Sequence, residues 1–307
     1  EFDGRIDDLR FYDRGLTYAD ATQLRNNIDT FSVTTSSDTV DGSTSSVASL
    51  LANPGSEGLI SLREAILAVN NGTPGDWTID VGAGNYTIAT GSGDSAGDFD
   101  IRNDMIIRGA GTGATVIDAN GIDRIFEFFA SDATISNMTL REGDTGSSNG
   151  GAIYVSGGSN VTISDVNFSD NTVGSGSGGA IYSEGDLTID NATFDSNTGS
   201  NGNGGAIRLG NSSVTTISNS LFVNNAVGNS DGGAIYAQGN LLVSNTTFSG
   251  NSVGSAGEGA AIEVNAGETT LRNVTVTDHH VAGSSVVNVE NPGRIYLGNT
   301  IIAGNTA

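Results

Sequence analysis

The sequence predicts an all-β fold: a right-handed parallel β-helix, a solenoid of about 27 residues per coil, closed at its N-terminal end by an α-helix. Three observations carry this prediction. First, Gly150-Gly151-Ala152-Ile153-Tyr154 recurs as Gly178-Gly179-Ala180-Ile181-Tyr182, as Gly204-Gly205-Ala206-Ile207-Arg208 and as Gly232-Gly233-Ala234-Ile235-Tyr236. A degenerate copy stands at Gly259-Ala260-Ala261-Ile262-Glu263, so the steps are 28, 26, 28 and 27 residues. Second, a Phe-x-x-Asn motif runs in phase with the first: Phe168 with Asn171, Phe194 with Asn197, Phe222 with Asn225 and Phe248 with Asn251. It fades to Val276 with His279 and Ile302 with Asn305. Third, Pro54, Pro74 and Pro292 are the only prolines, so none interrupts the repeats before residue 292, as ladders that need every N–H donor require.

Further columns fix the strands. Five residues before each Phe-type anchor stands another apolar residue: Ile163, Ile189, Ile217, Val243, Leu271 and Leu297. Three residues before the anchor stands a polar one: Asp165, Asn191, Asn219, Asn245, Asn273 and Asn299. Ile135, Asn137 and Leu140 extend the columns backwards. Within a coil the apolar residues alternate over short runs broken by Gly and Asn, which is a pattern of strands and tight turns. Stacking the coils sets parallel strands ~4.8 Å apart, so residues 79–307 hold about eight coils in a rod ~40 Å long. The period is too short for a WD or kelch propeller, and the consensus of a leucine-rich repeat is missing.

The segments before the repeat differ. Residues 1–29 alternate as a strand through Ile6, Leu9 and Phe11, then turn at Asp13-Arg14-Gly15. They resemble the closing strand and tail of a laminin-G/concanavalin-like jelly roll, and are too short to be that domain. Residues 30–78 form the N-terminal cap. Within it a helix is expected over 61–71: Ser61 and Glu64 form a capping box, Leu62, Ala65, Ile66 and Val69 form one apolar stripe, and Gly72 is the stop. A solenoid needs its first coil covered, because an open edge invites pairing.

Ser61-Leu62-Arg63-Glu64-Ala65-Ile66 resembles the core of the bacterial CSLREA-type surface proteins. The likeness continues through Asp38-Thr39-Val40-Asp41-Gly42, Gly97-Asp98-Phe99-Asp100-Ile101, Ile107-Arg108-Gly109-Ala110-Gly111 and Asp123-Arg124-Ile125-Phe126. Ile60 occupies the position of that family's usual cysteine, so no role rests on a thiol. The Gly-Gly-Ala-Ile and Phe-x-x-Asn motifs are similar to those of chlamydial polymorphic membrane proteins. Both resemblances imply a β-helix on a cell surface within a large adhesin-like chain.

Composition narrows the function. Net charge is −23 and all twelve basic residues are arginine, so no basic patch exists and nucleic-acid binding is excluded. Such acidity suits saline surroundings and supplies potential Ca²⁺ ligands. There is no cysteine, hence no disulfide, thiol chemistry or Cys-based zinc site. No apolar run is long enough for membrane insertion. The first residue is not methionine and no signal peptide is visible, so a longer precursor is expected. The columns persist through Leu297, Asn299, Ile302 and Asn305 with no cap after them. Continuation in a longer surface chain, or head-to-tail contact with a second copy, is expected there.

The candidate site residues follow from the columns. Asn137, Asn191, Asn219, Asn245, Asn273 and Asn299, and Asn171, Asn197, Asn225, Asn251 and Asn305, read as structural ladders that bond to one another and to turn backbone. Those of them that precede x-Ser/Thr, including Asn137, Asn191, Asn245 and Asn273, are discounted as glycan acceptors on the expectation that ladders are buried. Tyr154, Tyr182, Arg208 and Tyr236, with Glu263, form an outward stripe by strand alternation. That stripe either stacks on surface glycans, meets a partner protein, or packs beneath a loop. Asp94, Asp98 and Asp100 form an acidic cluster able to hold Ca²⁺, without EF-hand or nonapeptide spacing. No cofactor is required by any of these motifs. No H-E-x-x-H, G-x-S-x-G or P-loop is present. The function expected is a non-catalytic, extracellular or cell-surface adhesin-type segment. The alternative is a carbohydrate-binding or polysaccharide-degrading β-helix.

Overall fold

The computed structural model describes residues 30–89, 97–281 and 284–306. The strand expected within residues 1–29 lies outside them, as does Asp94. The described chain winds as a parallel β-helix. Among the described residues the strands form sheets of seventeen, eight and four strands. Strands pair in parallel one coil apart, with Ile163 opposite Ile189, Phe168 opposite Phe194 and Ile181 opposite Ile207.

The seventeen-stranded sheet bends over two faces of the rod. Strand Asn160–Ser169 shows how: Val161 and Ile163 point inward, Asp165 adopts φ 55°, and the alternation restarts so that Val166 and Phe168 also point inward. Asn137, Asn191, Asn219, Asn245, Asn273 and Asn299 take the same left-handed conformation, with φ between 49° and 58°. Asn and Asp visit this region at lower cost than other residues with a Cβ, which is why the column is polar. The third face is the eight-stranded sheet, which runs from Phe99–Ile101 to Val287–Val289. A turn leads from each of its strands to the next first-face strand: Ser156 to Ser159 in one coil, only Glu184 and Gly185 in the next. A narrow sheet of Thr172–Val173, Thr198–Gly199, Ala226–Val227 and Ser252–Val253 closes the coil before each Gly-Gly.

The core is a set of columns. Phe168, Phe194, Phe222 and Phe248 are fully buried and stack face to face at 4.6, 4.6 and 4.7 Å. Ile135, Ile163, Ile189, Ile217, Val243 and Leu271 fill the first face, and Ile153, Ile181, Ile207, Ile235 and Ile262 the third. Burying each such side chain contributes roughly 1.5–3 kcal/mol. Each glycine of Gly-Gly-Ala-Ile has its own reason. Gly178 needs φ +72°, which a Cβ would strain, while a Cβ on Gly179 would lie 2.0 Å from the Gly205 carbonyl oxygen of the next coil.

The two asparagine columns differ, which corrects the expectation that both are buried. Asn191, Asn219, Asn245, Asn273 and Asn299 are exposed at the corner. Their amides form a broken surface row: Asn245 donates to Asn219, Asn273 to Asn245 and Asn299 to Asn273, but Asn219 donates to Asp190 instead of Asn191. Burial therefore gives no ground for discounting the Asn-x-Thr sequences at Asn191, Asn245 and Asn273. The second column is a directional ladder, with Asn171, Asn197, Asn225 and Asn251 at zero exposure. The Nδ2 of Asn171, Asn197 and Asn225 donates to the Oδ1 of the next residue in the ladder, each at 2.9 Å. The same Nδ2 atoms donate to Leu140, Phe168 and Phe194 carbonyls. Two substitutions should therefore separate. Asn225→Ala strands buried donors and acceptors and should cost about 2–3 kcal/mol. Asn219→Ala meets only the left-handed backbone penalty of about 1 kcal/mol, and Asn219→Gly should be close to neutral. Equal losses in urea denaturation for Asn225→Ala and Asn219→Ala would contradict this division.

The N-terminal cap holds two helices, α1 (Val47–Ala52) and α2 (Leu62–Asn71). Strand Thr30–Val33 pairs in parallel with Trp77–Val81, so the long sheet begins inside the segment assigned to the cap. Ser61 caps α2, and the capping box with Glu64 forms as expected. Glu64 Oε1 also accepts the N–H groups of Asp41 and Gly42, at 2.8 and 2.7 Å. Arg63 is buried with Asp38 in a two-bond ion pair, both bonds 2.8 Å, and donates to the Gly97 and Asp98 carbonyls over the Phe99 ring. Leu62, Ala65, Ile66 and Val69 face the core. Each residue of Ser61-Leu62-Arg63-Glu64-Ala65 thus has a structural task. At the other end Leu297 and Ile302, members of the core columns, are 57% and 44% exposed.

Candidate functional site

The most chemically varied surface is the outward column of the eight-stranded sheet. In Phe126–Phe128 the two phenylalanines point inward, so Glu127 must point out, and the same alternation acts in every strand of this sheet. Register then aligns Asp100, Glu127 and Tyr154, and continues through Tyr182, Arg208, Tyr236, Glu263 and Asn288. Tyr154, Tyr182, Arg208, Tyr236 and Glu263 were legible in the sequence as one stripe. Asp100, Glu127 and Asn288 extend it.

The centre of the column is closed on itself. Tyr154 and Tyr182 stack in parallel, centroids 5.4 Å apart. The Arg208 guanidinium lies 4.6 Å from the Tyr182 ring centre, one coil further along, and that of Arg124 lies 5.5 Å from Tyr154 on the side of the preceding coil. Arg208 Nη1 donates to Tyr182 Oη at 2.7 Å and Nη2 to Gln238 Oε1. The chain of bonds runs on from Gln238 Nε2 to Asn265 Oδ1 and from Asn265 Nδ2 to Glu290 Oε2. Tyr182 and Tyr236 are only 8% and 6% exposed. The stripe points outward as predicted, but offers no open ring face on which a sugar could stack. Burial, joined by the Glu184 charge at Tyr154 and the Asp231 charge at Tyr236, pushes both phenols up to about 12. At neutral pH both phenols are protonated.

One end of the column is acidic. Asp98, Asp100 and Glu127 each place a carboxylate oxygen within 4.8 Å of the others. Of the predicted trio Asp94, Asp98 and Asp100, the structure brings together the last two, and Glu127 joins them. Arg124 holds this end: Nε donates to Asp98 at 2.9 Å, Nη2 to Glu127 at 2.7 Å and Nη1 to the Asn149 carbonyl. Arg102 pairs with Asp100 at 2.8 Å. Burial raises Asp98 and Glu127 above the usual carboxylate range, and the Arg124 charge opposes it. Three such carboxylates suit a hard divalent cation such as Ca²⁺. Here the guanidinium groups of Arg124 and Arg102 pair with the three carboxylates and offset two of their charges.

Glu263 marks the other end. It has no exposed surface, its Oε1 accepts from Asn288 Nδ2 at 3.2 Å, and its Oε2 has no hydrogen-bond partner. Burial pushes the carboxyl up to about 7, with Asp231, Glu290 and Glu258 adding repulsion. Its folded-state value is raised, so its stability contribution is present below the ordinary carboxylate range and is lost as pH rises through about 7. That value suits acid–base work, but the group is covered. Arg208 sits beyond Tyr236 in the register.

Residues 92–307 match the family model described as a right-handed β-helix region. The chain belongs to the right-handed β-helix family. No curated protein matches this β-helix protein. Among solved structures, ORF18 of Geobacillus virus E2 is similar at 15% identity and TM-score 0.45, over 91% of this chain and 63% of that one. The A-module of the Azotobacter vinelandii mannuronan C-5 epimerase AlgE4 is similar at 13% identity and TM-score 0.35, over 87% and 94%. This β-helix protein therefore spans less than two thirds of the ORF18 chain. Among the described residues of the β-helix, no helix is long and apolar enough to cross a membrane.

Proposed function

We propose that this chain is a non-catalytic β-helical rod of an extracellular or cell-surface protein, a structural and adhesive element whose partners are surface glycans or other proteins, further copies of itself included. The observation that carries this reading is the self-satisfied stripe. Arg124, Tyr154, Tyr182 and Arg208 stack their faces on one another, their donors are taken by neighbouring side chains and carbonyls, and the acidic end is paired with arginine. What remains for contact is the acidic outer wall of the rod, rich in Asp, Ser, Thr and Asn.

The test is an activity and binding screen. Incubation with alginate or pectate should release no unsaturated or reducing sugar, with or without Ca²⁺. Tyr182→Ala should lower stability by roughly 2–3 kcal/mol through lost stacking and burial and leave any binding on a glycan array unchanged. Turnover abolished by Arg208→Ala or Glu263→Gln would replace this reading with a polysaccharide-active one.

A further inference from the structure

The buried ladder contains one substitution. Where Asn171, Asn197, Asn225 and Asn251 stand in successive coils, the next coil supplies His279, and Asn305 follows. The imidazole stands in for both functions of an asparagine amide. Its Nε2 lies 3.3 Å from Asn251 Nδ2, and its Nδ1 lies 3.0 Å from Asn305 Oδ1. Ladder polarity fixes the tautomer. Asn251 Nδ2 is a donor, so Nε2 must accept, and Asn305 Oδ1 is an acceptor, so Nδ1 must carry the proton.

The stand-in is weaker than what it replaces. An Oδ1 in this ladder takes both the backbone N–H and the Nδ2–H of the residue before it, as Asn251 does from Asn225 at 3.0 and 2.9 Å. The single Nε2 lone pair takes only the amide of Asn251, at the longer 3.3 Å. Asn251 Nδ2 reaches the Phe222 carbonyl and Asn305 Nδ2 the Val276 carbonyl, whereas the ring sends no equivalent bond to Phe248.

We propose that His279 is an acid-sensitive latch between its own coil and the next: protonation at Nε2 sets two donors against each other, breaks the ladder and releases residues 285–306. The neighbours offer little relief. Asp278 is the charged group nearest the ring, on the exposed corner beside it, while Asn251 and Asn305 on the adjoining coils are neutral. Phe248, Val276 and Ile302 line the wall next to the ladder. His280 points out to Thr306. Burial lowers the His279 value, so the folded latch is fully held above the ordinary histidine range and gives way as pH falls through the lowered one. Glu263, raised to about 7, titrates with the opposite sign, since protonation relieves its buried charge.

Two-dimensional amide NMR of the full chain between pH 7.5 and 5.0 tests the proposal, with His279→Asn and His280→Ala beside the unaltered protein. His279→Asn restores the ladder residue of five other coils. Resonances of residues 285–306 should broaden or collapse towards unfolded positions on acidification in the unaltered protein and in His280→Ala. They should stay in place in His279→Asn. An unchanged spectrum of the unaltered protein down to pH 5.0 would overturn the latch, and so would an acid response of equal size in His279→Asn.

Discussion

Phe222→Ala should destabilise the protein by about 3–5 kcal/mol, the usual range for emptying a buried aromatic site. Phe222 has zero exposure and two stacked neighbours, Phe194 at 4.6 Å and Phe248 at 4.7 Å. Removing the ring deletes both stacks and leaves a void between coils that cannot collapse, because the ladders on either side hold the wall at its spacing. A solenoid is stabilised by nearest-neighbour interfaces, so the loss concentrates at the two interfaces that Phe222 joins. Phe248→Ala should cost about 1 kcal/mol less, because one of its neighbours in the column is Val276 rather than a ring. Urea denaturation of both variants measures this. A loss under ~1 kcal/mol for Phe222→Ala would mean that the ring does not occupy the core column.

Arg63→Ala should cost a similar amount, about 3–5 kcal/mol, for an electrostatic reason. The side chains of Arg63 and Asp38 are 4% and 6% exposed. Removing the guanidinium leaves the Asp38 carboxylate buried without its cation and takes donors from the Gly97 and Asp98 carbonyls. The comparison that isolates this cause is the double replacement of Arg63 by Met and Asp38 by Leu. It removes both charges and should recover most of the stability, because two desolvated ions cost nearly what their attraction returns. Trp77, the chain's one tryptophan, packs edge-on against Phe31 in the first coil, and its fluorescence reports on the cap. If Arg63→Ala leaves the tryptophan transition in place, the ion pair does not hold the cap down.

The columns were readable because the wall imposes constant spacings. From Ile135 onward, Phe-type anchors follow Ile-type anchors by five residues in each coil, with the left-handed Asn or Asp between them. The capping box was readable because its chemistry is local. What lay beyond the sequence depended on contacts between coils. Helix α1 has six residues, too few to show a period, and it forms because Val47 and Leu50 are buried and Ser46 caps it. Asp100 and Glu127 belong to coils without the Gly-Gly-Ala signal, and only the apolar residues on either side of each, as in Phe126 and Phe128, mark their place. Alternation showed that Tyr182 and Tyr236 point outward. It carried no information on the side chains that close around them, Glu184 and Gln238 among those touching the stripe. Asparagine as a residue type likewise did not distinguish an exposed corner from a buried ladder.

The turns between the third face and the first have a consequence for how such a wall can change. Ile153 to Ile163 is 10 residues, Ile181 to Ile189 is 8, Ile207 to Ile217 is 10, Ile235 to Val243 is 8 and Ile262 to Leu271 is 9. The remaining arc, Ile163 to Ile181, Ile189 to Ile207 and Ile217 to Ile235, is 18 residues, and Val243 to Ile262 is 19. Most length variation in the coils at the heart of the rod is therefore absorbed at a single edge, and the hydrogen-bonded arc stretches by one residue at most. Additions made along that edge would project side by side at the coil spacing of ~4.8 Å. That edge is the natural place to graft a row of recognition loops without disturbing a single core residue.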